Sequence, residues 1–249
     1  MASGRPRIAA IIPVLDEAGA IGPLVREMPR KWVDTVIVVD GGSKDATVAE
    51  AEAAGAQVLV ESRRGYGRAC ASGAAMAEAD ILVFLDGDGS DNPEFIPNLV
   101  QPLIAGTHDF VIASRVLGKR EKGSMGLHQI VAGLLIGRAV GWLSGTRYTD
   151  MCAFRAIRAR DLDRLGMREM TYGWNLEMQM RAAHWGLHVL EIPVDYRRRF
   201  AGNSKVAGTF RGSIKAAYRI ISTLIRIARE TETKTPVASA SAQQKGIQP

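Results

Sequence analysis

The apolar positions of this chain fall into short continuous runs separated by stretches with helical spacing. Ile8 to Pro13 and Thr35 to Val39 are β-branched runs, and between them Ile21, Leu24, Val25 and Met28 recur at the three- and four-residue spacing of one helix face. A β-α-β opening is predicted. Two further helical stretches, Ala46 to Ala54 closed by Gly55 and Arg68 to Ala79, lead into runs at Gln57 to Glu61 and Ile81 to Leu85. Val36-Ile-Val-Val39 and Ile81-Leu-Val-Phe-Leu85 are apolar without alternation, as strands covered on both faces are. Four such strands alternating with helices predict an α/β fold around a parallel sheet, with ligands beyond the carboxyl ends of the strands. The places to search therefore lie just after Pro13, Val39, Glu61 and Leu85.

The second half is less regular. It predicts a strand at Phe110 to Ser114, an apolar helix from about Gln129 to Leu143, a helix at Leu176 to Trp185 and a strand at His188 to Tyr196. These complete one catalytic-sized domain over residues 1–208. Over 209–230 the pattern changes: Ile214, Ala217, Tyr218, Ile221, Leu224, Ile225 and Ala228 share one helical face, while Arg211, Lys215, Arg219, Arg226 and Arg229 share another. A basic amphipathic helix of this kind lies on an anionic membrane surface or packs on protein. Residues 231–249 have no apolar periodicity and read as a disordered tail.

Composition narrows the picture. With 249 residues, 47% of them hydrophobic, the chain can bury a large core. The net charge of +6 favours anionic partners, but the basic residues cluster late, without aromatic interleaving or a helix-turn-helix pattern, so no nucleic acid is expected. Cys70 and Cys152 form no CxxC pair, and the apolar run before Asp16 is too short for a signal peptide. A cytoplasmic protein, peripheral on the inner face of the membrane, is expected. The apolar run at Ile130 to Leu143 is below the roughly 20 residues of a spanning helix.

Chemistry concentrates at the strand ends. Leu85 is followed by Asp86-Gly-Asp88-Gly-Ser-Asp91, and Asp86 and Asp88 can converge on one hard cation, Mg2+ or Mn2+, that neutralises a leaving pyrophosphate. The plainer reading is a capping turn, with Asp91 or Asn92 ahead of Pro93. Asp40-Gly-Gly-Ser43-Lys-Asp45 ends the second strand. Capping accounts for Ser43 and Asp45, whereas Asp40 is expected as a bare carboxylate able to accept the N–H groups of a uracil or guanine. Pro13-Val-Leu-Asp16-Glu17 ends the first strand, where carboxylates can receive ribose hydroxyls. Arg63-Arg64-Gly65-Tyr66-Gly67-Arg68 precedes a helix and suits phosphate, or is a solvated basic loop.

With Val39-Asp40-Gly-Gly-Ser43-Lys-Asp45-Ala-Thr47, Arg64-Gly-Tyr-Gly67-Arg68, Asp86-Gly-Asp88, Ser114-Arg115, Asp150-Met-Cys-Ala-Phe154-Arg155 and Arg199-Phe-Ala-Gly202-Asn-Ser204-Lys205 in this order, the chain resembles glycosyltransferase family 2. Within it, the dolichyl-phosphate mannose or glucose synthase group and its bacterial polyprenyl-phosphate relatives are the most similar. The resemblance implies a GT-A fold, an inverting transfer from a UDP- or GDP-sugar, Pro13, Glu17, Asp40, Gly67, Arg68 and Asp86 at the donor nucleotide, and Asp86 and Asp88 on the metal. Two departures stand out: Cys152-Ala153 replaces the usual Ser-Gly, and the long apolar C-terminal segments of membrane-spanning synthases are absent.

Acceptor chemistry leaves alternatives. A phosphate acceptor is already ionised near neutrality, its second pKa being about 6, and needs cations rather than a base. Arg115, Arg199, Ser204 and Lys205 are the candidates for it. A small hydroxyl acceptor would instead need a general base, for which Asp150 and Glu177 are available alongside Asp88 at the catalytic centre. A sugar nucleotidyltransferase on a similar sheet is a third reading.

Overall fold

The computed structural model describes residues 4–124, 137, 138, 141, 148–201, 222, 225 and 226. In chain order the elements are β1 (Ile8–Val14), α1 (Ile21–Arg26), β2 (Thr35–Asp40), α2 (Thr47–Ala53), β3 (Gln57–Val60), α3 (Tyr66–Met76), β4 (Ile81–Phe84), a 3-10 turn (Pro93–Phe95), α4 (Ile96–Ile104), β5 (Phe110–Ser114), β6 (Arg155–Arg158), α5 (Ala159–Leu165), α6 (Trp174–His184) and β7 (Val189–Pro193). The strands form one sheet in the order β3-β2-β1-β4-β6-β5-β7. β1 pairs in parallel with β2 and β4, as does β2 with β3 and β5 with β7, whereas β6 runs antiparallel to both its neighbours. The sheet is thus mostly parallel, as predicted.

Both faces are covered. Along β1, Ile8, Ala10 and Ile12 join a core with α1 and α4, while Ala9 and Ile11 join a second core with α3 and α6. This alternation between two cores explains why β1 is apolar throughout. A Cβ on Gly73 would come within 2.6 Å of Ile11 and 2.9 Å of Val39, so α3 lies close on the sheet only because a glycine faces it. The strand β6 and the helix α5 that follows it were not foreseen: Arg155-Ala-Ile-Arg158 is short and flanked by arginines. Its Arg155 is nonetheless fully buried, donating to the carbonyls of Cys152 and Asn175.

Most of the expected helix at 129–143, the amphipathic stretch and the tail lie outside the described residues. Ser222, Ile225 and Arg226 are helical. There Arg226 turns toward the domain, 3.5 Å from Glu177 and 3.7 Å from Glu169, while Ile225 is 44% exposed. At this turn the cation faces protein while the aliphatic side chain is partly exposed.

Candidate active site

The loops after β1 and β2 are stitched together before any ligand arrives. Asp16 takes a positive φ of 48°, rare outside glycine. Its N–H donates to Ser43 Oγ (2.8 Å) and its carboxylate accepts from the Lys44 N–H (2.8 Å), while the Glu17 N–H donates to Thr47 Oγ1 (2.8 Å). Pro13 pairs with Val39 in the sheet just beneath. Asp40 is buried at the end of β2, but its carboxylate is not bare as expected: it accepts from the N–H groups of Gly42 (3.0 Å) and Ser43 (3.1 Å) and from the Ser43 hydroxyl. The turn itself engages these lone pairs.

Gly67 and Arg68 are likewise engaged. Their N–H groups donate to the carbonyls of Thr171 (3.2 Å) and Met170 (3.0 Å), and a Cβ on Gly65 or Gly67 would meet the Met170 or Glu169 carbonyl oxygen at 2.2 and 2.4 Å. The glycines are there for close backbone packing. These N–H groups are thus engaged with the chain, and the half-buried Arg68 side chain stands at the start of α3.

After β4 a tight turn brings the acids together. Asp91 is buried beneath it and accepts from the Asp86 N–H (3.1 Å), so it is a strut and not the helix cap; Asn92 is the cap, accepting from the Glu94 N–H (3.1 Å). Burial first and the Asp88 charge second push the Asp86 carboxyl up to about 6, and burial with the Asp86 charge pushes Asp91 up to about 8. Crowded carboxylates whose anionic forms disfavour each other are stabilised by a cation. Asp88 accepts from the Ser90 N–H (2.9 Å) and hydroxyl (2.5 Å) with one oxygen and from Arg199 (2.9 Å) with the other.

Arg199 reaches this turn because the chain beyond β7 zips onto it. The N–H groups of Arg197 and Phe200 donate to the carbonyls of Ser90 (3.0 Å) and Asp88 (2.9 Å), and Ser90 Oγ lies 3.0 Å from the Tyr196 hydroxyl. Gly89, at φ +78°, gives room for the Phe200 ring. Arg199 also lies 3.5 Å from Glu17, joining the β1 and β4 mouths. Ser204 and Lys205 fall outside the described residues.

The expected bases have other work. Each oxygen of Asp150, 1% exposed, accepts two hydrogen bonds: Oδ1 from Arg115 Nη2 and the Met151 N–H (both 2.7 Å), Oδ2 from the Arg115 N–H (2.9 Å) and Nε (2.8 Å). Glu177, fully buried, accepts from the N–H groups of Arg168 (2.8 Å) and Glu169 (2.5 Å) and from Arg181 (2.9 Å). Both carboxylates fix loops, and Arg115 is tied to Asp150. Arg115 lies 35 residues from Asp150 and leaves no local signal, whereas Arg181, four residues beyond Glu177 on the same helix, is an ion-pair spacing the sequence does carry.

The family model described as Glycosyl transferase family 2 matches residues 9–166. An uncharacterized glycosyltransferase of Mycobacterium tuberculosis is 34% identical over 213 residues, covering 84% of this chain and 94% of its own. The undecaprenyl-phosphate mannosyltransferase of Micrococcus luteus is 32% identical over 224 residues, 83% of this chain and 90% of that one. Among solved structures, glucosyl-3-phosphoglycerate synthase from Mycobacterium tuberculosis, in complex with Mn2+ and UDP-glucose, superimposes with a TM-score of 0.71 at 23% identity over 90% of this chain and 79% of that one. The sheet order, the acidic turn beyond β4 and these likenesses agree: the chain belongs to glycosyl transferase family 2 and has the GT-A fold.

Proposed function

We propose that this glycosyltransferase moves a sugar, with inversion, from a UDP- or GDP-sugar to a polyprenyl phosphate, using Mg2+ or Mn2+. The observation that carries the choice of acceptor is the engagement of Asp150 and Glu177. With both held by arginines and backbone, neither is poised as the base that a hydroxyl acceptor requires, whereas a phosphate acceptor requires none. The mannosyltransferase relative from Micrococcus luteus, whose name specifies undecaprenyl phosphate, supports the same reading.

The residues fit a substrate-bridging cation. Among the described residues no group of three or more His, Cys, Asp or Glu side chains is placed to hold a metal ion, so Asp86 and Asp88 would share it with diphosphate oxygens and water, a common arrangement for Mg2+. When bound, the cation supplies charge neutralisation at the departing diphosphate. Asp40, with Pro13 beneath it, borders the base, Glu17 the ribose, and Arg68 the phosphates. Arg199 draws the two strand mouths together and, with Ser204 and Lys205 further along the same segment, orients the acceptor phosphate in line with the leaving group.

Residues 209–230 would rest the enzyme on an anionic inner leaflet. No described helix is long and apolar enough to cross a membrane. The outward-facing Ile225 is in keeping with an apolar face offered to lipid. A second reading, a small phosphorylated or hydroxyl acceptor, is favoured by the likeness to the glucosyl-3-phosphoglycerate synthase structure.

The test is transfer by the purified protein from a panel of UDP- and GDP-sugars, with Mg2+ or Mn2+ and a short polyprenyl phosphate. Labelled sugar extracted with the lipid supports the proposal. Donor hydrolysis without lipid product moves the acceptor to the second reading, and no turnover or binding of any nucleotide sugar refutes both.

A further inference from the structure

Tyr196, just beyond β7, stands between the acidic turn after β4 and the loop that leaves β5. Its N–H donates to the Lys119 carbonyl (2.9 Å), its carbonyl accepts from the Glu121 N–H (3.0 Å), and its backbone forms isolated bridges to Asp91 and to Arg120. The Arg115 guanidinium lies over its ring, 5.1 Å from the centroid. None of these ties uses the hydroxyl, and a phenylalanine would keep them all. The hydroxyl has a separate partner: it lies 3.0 Å from Ser90 Oγ, which in turn lies 2.5 Å from Asp88 Oδ1.

The direction of this chain of hydrogen bonds follows from its donors. Ser90 is 3% exposed, its hydroxyl has a single proton, and a carboxylate only accepts, so the serine donates to Asp88 and the phenol donates to the serine. Oδ1 of Asp88 also accepts from the Ser90 N–H (2.9 Å), whereas Oδ2 accepts, among the described residues, from Arg199 alone (2.9 Å). One serine thus occupies Oδ1 twice and leaves Oδ2 as the oxygen that can be given to a cation. A hydroxyl that receives a hydrogen bond donates a stronger one, so the phenol tightens the hold of Ser90 on Oδ1. We propose that Tyr196 is a positioning residue for the cation site: acting through Ser90, it fixes the Asp88 carboxylate with Oδ2 available to the divalent cation. Outer hydrogen bonds orient metal ligands and change metal affinity by about 10–100-fold. The inference rests on the reading of Asp88 as a cation ligand.

The experiment compares the full chain with its Tyr196→Phe, Ser90→Ala and double variants. Mn2+ titration in the presence of UDP, followed by the electron paramagnetic resonance of free Mn2+, gives the affinities, and thermal unfolding without metal gives the cost to the fold. The expected loss of Mn2+ affinity is about 10–100-fold for Ser90→Ala and about 3–10-fold for Tyr196→Phe, the weight of one hydrogen bond. The double variant should bind no more weakly than Ser90→Ala alone, because the phenol acts only through the serine. The melting temperature of Tyr196→Phe should stay within about 4 °C of the parent. Unchanged Mn2+ affinity in Tyr196→Phe overturns the proposal, and so do losses that multiply in the double variant, which make the phenol independent of Ser90. A larger fall in melting temperature overturns it too, because the hydroxyl then holds up the mouth as a whole. If the unaltered protein binds no Mn2+, the cation-site reading itself falls and takes this inference with it, an outcome distinct from the others.

Discussion

Replacing Asp150 with asparagine separates a structural clasp from a catalytic base. Asp150 is 1% exposed and Arg115 has 18% of its side chain exposed, so the pair is largely withdrawn from water. Two side-chain bonds of 2.8 and 2.7 Å and two backbone N–H donors converge on the carboxylate. In Asp150→Asn the shape survives, but the charge is lost and an amide N–H₂ is turned toward donors. Removing one partner of a buried, hydrogen-bonded ion pair costs about 3–5 kcal/mol. For a domain of this size each kcal/mol moves the melting temperature by about 2–4 °C, so a drop of roughly 6–20 °C is expected. Arg115→Met should cost a comparable amount, and the double variant less than the sum of the two, because neither charge is then left alone. Chemical denaturation of the metal-free protein gives the three free energies. An Asp150→Asn protein within about 1 kcal/mol of the parent that nevertheless fails to turn over would refute the clasp and restore the base.

Three further outcomes are expected. Arg199→Met, which frees Asp88 of its 2.9 Å partner, should leave Mn2+ and UDP binding intact or tighter while lipid transfer falls at least about tenfold; lost Mn2+ binding would contradict this. Gly89→Ala places a Cβ 2.3 Å from the Phe200 ring at φ +78°, with a backbone cost of about 1–2 kcal/mol plus displacement of the ring; adding Phe200→Ala should recover only the ring contribution in urea denaturation. Glu61 is held down to about 2 by hydrogen bonds from Arg63 and Ser72, below its ordinary 4.5, so its contribution to stability is present above pH 4.5 and is lost as the pH falls toward 2. Melting curves of Glu61→Gln and the parent should converge across that window, and parallel curves would show that the carboxylate is not so held.

What could be read from the sequence follows from which forces are local. The strands β1, β2 and β4 announce themselves because both their faces are buried, and the ligand edge follows from their parallel order. Asp86 and Asp88 could be singled out because strand and turn adjoin them in the chain. A carboxylate such as Asp150 looks the same in sequence whether it faces substrate or an arginine 35 residues away. Gly65 and Gly67 show the same limit: a glycine that admits a phosphate and one that admits the Met170 and Glu169 carbonyls are spelled alike.

The reversal of β6 has a consequence for how this architecture diversifies. Because β5 runs toward the ligand edge and β6 away from it, the chain between Ser114 and Arg155 leaves and re-enters the sheet at the same rim. The Arg115–Asp150 pair ties the two feet of that excursion together. Since the entropy of closing a loop grows only slowly with its length, such a tethered excursion can be lengthened, shortened or exchanged with little strain on the strands beneath.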